Sequence, residues 1–146
     1  MRRFRLAAAT VPLAALLSLA GCASHHASKP VATGPAPRVY AIDLAGKAAL
    51  CKPGKVTPKP HGTVAADMTV GSAGGWCGLS VQRHGAPFAA GLLTRRAAHG
   101  RVYIHTVGAA TRIDYTPAPG FVGQDRFAVE LLPDHARLNV AVTVRP

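Results

Sequence analysis

Residues 136–144 read ARLNVAVTV. Leu138, Val140, Val142 and Val144 fall on one side of an extended chain and Asn139, Ala141 and Thr143 on the other, the period-two pattern of a half-buried strand. Just upstream, Phe127, Val129 and Leu131 alternate with Ala128 and Glu130, and Pro133-Asp134-His135 between the two runs suits a hairpin turn. Val102, Ile104 and Thr106 alternate with Tyr103, His105 and Val107 in the same way. Further short runs at 63–70, 78–83, 88–94 and 111–115, each broken by Gly or Pro, bring the number to about seven strands. No amphipathic helix of useful length interrupts them. Short strands at this spacing predict an all-β fold, a small antiparallel β-sandwich over residues 62–146.

The other end of the chain is of a different kind. MRRFRLAAATVPLAALLSLAGC (1–22) has a cationic start at Arg2, Arg3 and Arg5, an apolar run from Leu6 to Leu17, and small residues before Cys22. It resembles a bacterial lipoprotein signal peptide spanning 1–21. The resemblance implies cleavage before Cys22 and acylation of that cysteine, which would hold the chain on a membrane without spanning it. The apolar run is shorter than a spanning helix requires, and Pro12 interrupts it. Ala23, rather than Asp, follows the cysteine, which by the same resemblance places the protein at the outer membrane on its periplasmic face.

Residues 22–61 are rich in Pro, Ala and Lys and read as an extended tether. Within it, Val39 to Leu50 is a more apolar island suited to a short helix or an edge strand. The chain carries 17 Lys and Arg against 6 Asp and Glu, a formal net charge of +11. Removing the leader arginines leaves it basic. For a periplasmic lipoprotein the polyanions within reach are lipid headgroups and cell-wall polymers, so the expected partners are the membrane through the anchor and an envelope protein or cell-wall polyanion, with no nucleic acid. Of the three cysteines, lipidation takes Cys22. The remaining pair, Cys51 and Cys77, is expected to form a disulfide in an oxidising compartment, while their spacing excludes a CxxC redox centre.

The string Tyr115-Thr-Pro-Ala-Pro119-Gly120-Phe121-Val-Gly123-Gln-Asp125-Arg-Phe127, preceded by His99-Gly100-Arg101-Val102, resembles the signature of bacterial immunoglobulin-like and cadherin-like domains. The likeness covers roughly residues 63–144, with its informative part at 99–129. It implies an immunoglobulin-like sandwich with structural roles for these residues. Pro119-Gly120 would form a tight turn, Phe121 and Phe127 would enter the core, Asp125 would accept backbone N–H bonds in the 120–127 turn, and the Tyr115 hydroxyl would tie back to nearby backbone. Cadherin-like relatives bind calcium through clustered acids. Here Asp43, Asp67, Asp114, Asp125, Glu130 and Asp134 are scattered, and no metal is expected.

Seven histidines are spread along the chain without ligand spacing and are expected to be solvated. Ser24, Ser28, Ser72 and Ser80 sit in no nucleophile elbow. The glycines of 71–78 lack the following helix and Lys of a phosphate-binding loop; they are expected to form a turn that lets Trp76 and Cys77 reach the core. No cofactor is implied. The sequence therefore points to a protein that acts by binding and not as an enzyme.

Overall fold

The computed structural model describes residues 37–146. The expected signal peptide, Cys22 and the tether up to residue 36 lie outside them. One helical turn, α1 (Ala41–Leu44), is followed by eight strands: β1 (Cys51–Pro53), β2 (Thr63–Gly71), β3 (Cys77–Val81), β4 (Ala90–Arg95), β5 (Gly100–Val107), β6 (Ala110–Pro117), β7 (Gly123–Leu132) and β8 (Ala136–Arg145). They form two sheets, ordered β1-β2-β8-β7-β4 and β3-β6-β5.

The alternation that decides the fold also builds its core. Leu138, Val140, Val142 and Val144 of β8 are all buried, as are Phe127, Val129 and Leu131 of β7 and Met68 and Val70 of β2. Leu79 and Val81 of β3 and Ile113 and Tyr115 of β6 are buried in the same core cluster. Each such side chain removed from water stabilises by about 1.5–3 kcal/mol before the entropy of ordering it is subtracted.

Three features depart from the sequence-based expectation. There are eight strands, because β1 belongs to the sheet. One pair is parallel: β2 runs alongside β8, with Thr63 opposite Arg137 and Gly71 opposite Arg145. A parallel neighbour is possible here because β2 and β8 are far apart in sequence and need no tight turn between them. Thirdly, the stretch expected to be tether up to residue 61 is partly domain. Ala48 is buried, Val56 packs on the core, and β1 pairs with β2 through Cys51 opposite Val70. The 39–50 island forms α1 and then a bridge between Lys47 and Trp76.

Cys51 and Cys77 are joined in a disulfide with a Cα–Cα distance of 5.2 Å. β1 and β3 are edge strands of opposite sheets, so the bond staples the two layers together at one side. Closing a loop whose ends are 26 residues apart stabilises by about 3 kcal/mol in the chain-entropy account.

Candidate functional site

The signature string converges on Asp125 at one end of the sandwich. Ala118, Pro119, Gly120 and Phe121 make a turn closed by the Phe121 N–H donating to the Ala118 carbonyl at 3.1 Å, and Gly120 supplies the required positive φ of 76°. Beyond it, Asp125 sits at the start of β7 with its carboxylate directed inward. Oδ1 accepts from the N–H groups of Ala98 (3.0 Å) and Arg126 (2.8 Å), and Oδ2 from that of His99 (2.8 Å). The donors at 98 and 99 belong to the β4–β5 loop, so Asp125 fastens that neighbouring loop more than its own turn. The Tyr115 hydroxyl lies 2.9 Å from Oδ2 and 3.2 Å from the His99 carbonyl, and its single proton goes to the charged acceptor. Gly100 is required by close approach: a Cβ there would stand 2.4 Å from the Tyr115 ring.

Burial pushes the Asp125 carboxyl toward a higher pKa, but the N–H groups of Ala98, His99 and Arg126 and the Tyr115 hydroxyl outweigh it and hold the group below its usual value. For Tyr115, burial first, and then the hydrogen bond to Asp125 and its charge, push the phenol well above its ordinary range. The pair is thus a fixed anion and a fixed proton. Neither group is poised to exchange a proton near neutrality.

A second polar cluster lies on the outer face of the three-stranded sheet, where Arg112 and Asp114 alternate with the core residues of β6 and are nonetheless 7% and 5% exposed. Asp114 Oδ2 accepts from Arg112 Nε (3.0 Å) and Nη2 (2.9 Å), and His105 Nε2 of β5 stands 2.9 Å away. Oδ1 is 2.9 Å from Nε but accepts no hydrogen bond among the described residues, because the N–H is aimed at Oδ2. The guanidinium lies 3.9 Å beneath the Trp76 ring, and its Nη1 donates to the Asp43 carbonyl. Trp76 was expected in the core; it caps this outer cluster instead, because its indole N–H donates to the Ala45 carbonyl at 2.7 Å.

These contacts hold residues 38–48 as a strap across the sheet. The Gly108 N–H donates to Arg38, the Trp76 N–H to Gly46, and the Ala48 N–H to Trp76. The backbone polar groups of the strap face inward. Its side chains do not follow: Val39, Tyr40, Ile42 and Leu44 are 54%, 60%, 78% and 64% exposed. The sequence marked 39–50 as an apolar island but not as a strap over this sheet, and nothing singled out Arg112, since an Arg and an Asp on alternate positions of a strand look like an ordinary solvated face.

The remaining expected residues are placed as follows. Phe127 is fully buried. Phe121, expected in the core, is half-buried at its margin and stacks on the His99 ring at 4.2 Å. Cys77 reaches the core and Gly123 opens β7. His135 lies 2.6 Å from Glu130. Among the described residues no three His, Cys, Asp or Glu side chains are grouped so as to hold a metal ion. A cleft of about 750 Å³ at the Tyr115 end is lined by Ser72, Gly74, His99, Arg101, Pro117 and Pro119. On the outer face of the larger sheet, Arg95 and Arg126 flank a shallow depression floored by Ala65, Asn139 and Ala141. Neither arginine forms an ion pair among the described residues.

No family model and no curated protein sequence matches the chain.

Proposed function

We propose that the protein is a lipid-anchored, non-catalytic module, held by Cys22 at the periplasmic face of the outer membrane, whose immunoglobulin-like sandwich presents a binding surface to an envelope partner. The observation that carries this reading is the use made of the two most enclosed carboxylates. Asp125 and Asp114 are both committed as hydrogen-bond acceptors inside the fold, so the groups best suited to acid–base chemistry act as fasteners and the exterior is the working part. The Leu19-Ala20-Gly21-Cys22 string and the Cys51–Cys77 disulfide support an exported, anchored protein.

The test is fractionation with intact-mass measurement. Protein with Cys22 intact is expected in the membrane fraction carrying acyl mass, and Cys22→Ser is expected in the soluble fraction or as unprocessed precursor. A processed, unacylated protein that stays on the membrane contradicts the anchor.

A second reading, a basic inhibitor or cell-wall polyanion binder, is favoured by Arg95 and Arg126 beside the depression on the larger sheet, neither ion-paired among the described residues. It predicts retention on isolated cell-wall sacculi that weakens with salt and is lost in Arg95→Ala/Arg126→Ala. The first reading predicts retention indifferent to that pair.

A further inference from the structure

Of the eight large apolar side chains exposed among the described residues, four lie within residues 39–44. They are Val39, Tyr40, Ile42 and Leu44, and the strap that carries them is not a loosely lying segment. Its carbonyls at Arg38, Asp43, Ala45 and Gly46 accept from Gly108, Arg112 and Trp76, and the Tyr40 and Asp43 ends of α1 bond each other reciprocally. Fixing the backbone inward fixes the apolar side chains outward. Four exposed apolar side chains within six residues, on a backbone held in this manner, mark a contact surface.

We infer that this strap is a membrane-contact patch, which seats the sandwich against the headgroup and upper acyl region of the bilayer that holds Cys22. The inference rests on the lipid-anchor reading above. Three observations select a bilayer as the occupant. Residues 23–38 separate Cys22 from Val39, a contour of at most about 60 Å, so an anchored chain keeps the patch within reach of the surface at high effective concentration. The patch is flanked by Arg38 and Lys47, while the carboxylate of Asp43, the acid of this stretch, is turned back onto the Tyr40 N–H at 2.8 Å; the fringe suits phosphate-bearing headgroups. Tyr40 combines an apolar ring with a polar tip, as residues at a membrane interface do.

The chain has one tryptophan, and it lies against this strap, with the Trp76 indole bonded to Ala45. The test uses the acylated protein reconstituted into vesicles of phosphatidylethanolamine and phosphatidylglycerol, with and without brominated acyl chains. Flotation reports the anchor and bromine quenching of Trp76 reports the patch, so either can fail alone. The expected result is quenching in the parent, reduced about tenfold or more in Ile42→Asp/Leu44→Asp while flotation is unchanged. Ile42→Ser/Leu44→Ser is expected to fall between, and Val122→Asp, a similarly exposed apolar site elsewhere, to quench like the parent. A floating but unquenched parent overturns the inference. So does a concentration-dependent dimer in vesicle-free detergent solution that Ile42→Asp/Leu44→Asp abolishes, since the patch would then belong to a second copy.

Discussion

Two buried carboxylates hold this molecule together, and they do so by different means. Asp125 is fed by three backbone N–H groups and a phenol. Its partners exist in every sequence, apart from Tyr115. Asp114 is fed by the side chains of Arg112 and His105, under a roof made of Trp76 and the strap. The first arrangement fastens a loop and tolerates the loss of one donor. The second encloses a formal ion pair, whose members each depend on the other to offset the loss of water. Enclosure by side chains is therefore the more brittle design, although the two carboxylates are almost equally hidden.

The largest expected effect attacks that brittleness. Arg112→Ala leaves Asp114 buried without its cation and is expected to lower unfolding free energy by about 3–5 kcal/mol, while Arg112→Met/Asp114→Leu is expected to recover most of the loss. Urea unfolding measures both; a single variant within about 1 kcal/mol of the parent would mean that water reaches Asp114 and the strap is not seated. Next, Asp125→Ala unpairs the N–H groups of Ala98 and His99 and is expected to cost about 1–3 kcal/mol, unchanged by chelator, since the carboxylate's partners are N–H and O–H donors. A cost equal to that of Arg112→Ala would erase the contrast drawn above.

Smaller still, Tyr115→Phe leaves Asp125 its three backbone donors and is expected to cost about 0.5–1.5 kcal/mol. The smallest effect is in the pH profile. Asp125 has a folded pKa below its reference of 3.8, so its contribution is complete above the unfolded value and is lost as pH falls through the folded one. Tyr115 is shifted upward, so its contribution is complete below the ordinary phenol range and is lost only on strong alkalinisation. Melting midpoints of the parent and Asp125→Asn are expected to converge as the pH falls through and below the ordinary aspartate range. Parallel curves down to the most acid pH would show that Asp125 carries no such linkage. Glu130, lowered by its His135 contact, shifts both curves alike and cancels in the difference.

The same contrast separates what could be read in advance from what could not. The strands were legible because alternation is local: β8 needs only its own residues to declare which face is apolar. The Tyr115–Phe127 string was legible for the same reason, since Pro119-Gly120 shapes a turn within four residues. Asp125 is expected to accept from its own turn, but only Arg126 of its backbone donors lies there; those at 98 and 99 come from another loop, which nothing local announces. Arg112 and Asp114 share a face with the outward residues of a strand, and only the strap, arriving from residues 38–48, converts that face into an interior. β1 was hidden by composition: Cys51-Lys52-Pro53 in a Pro- and Lys-rich stretch looks like spacer, and a disulfide and three register pairs make it an edge strand. Trp76 was misplaced because size and apolarity suggest a core position, whereas its N–H and its π face found partners outside.

The position of β8 has a consequence for how such a chain can mature. It follows every other strand in sequence yet stands third of five in the larger sheet, with β2 on one side and β7 on the other. Whatever emerges first from a ribosome or an export channel, β2 and β7 have no shared partner until residues 136–145 arrive. A chain interrupted before Ala136 leaves the hydrogen-bonding edges of β2 and β7 unpaired and the sheet divided, so a stop codon just before β8 should be as damaging as an early one. A chain delivered stepwise therefore cannot close the larger sheet until β8 joins it.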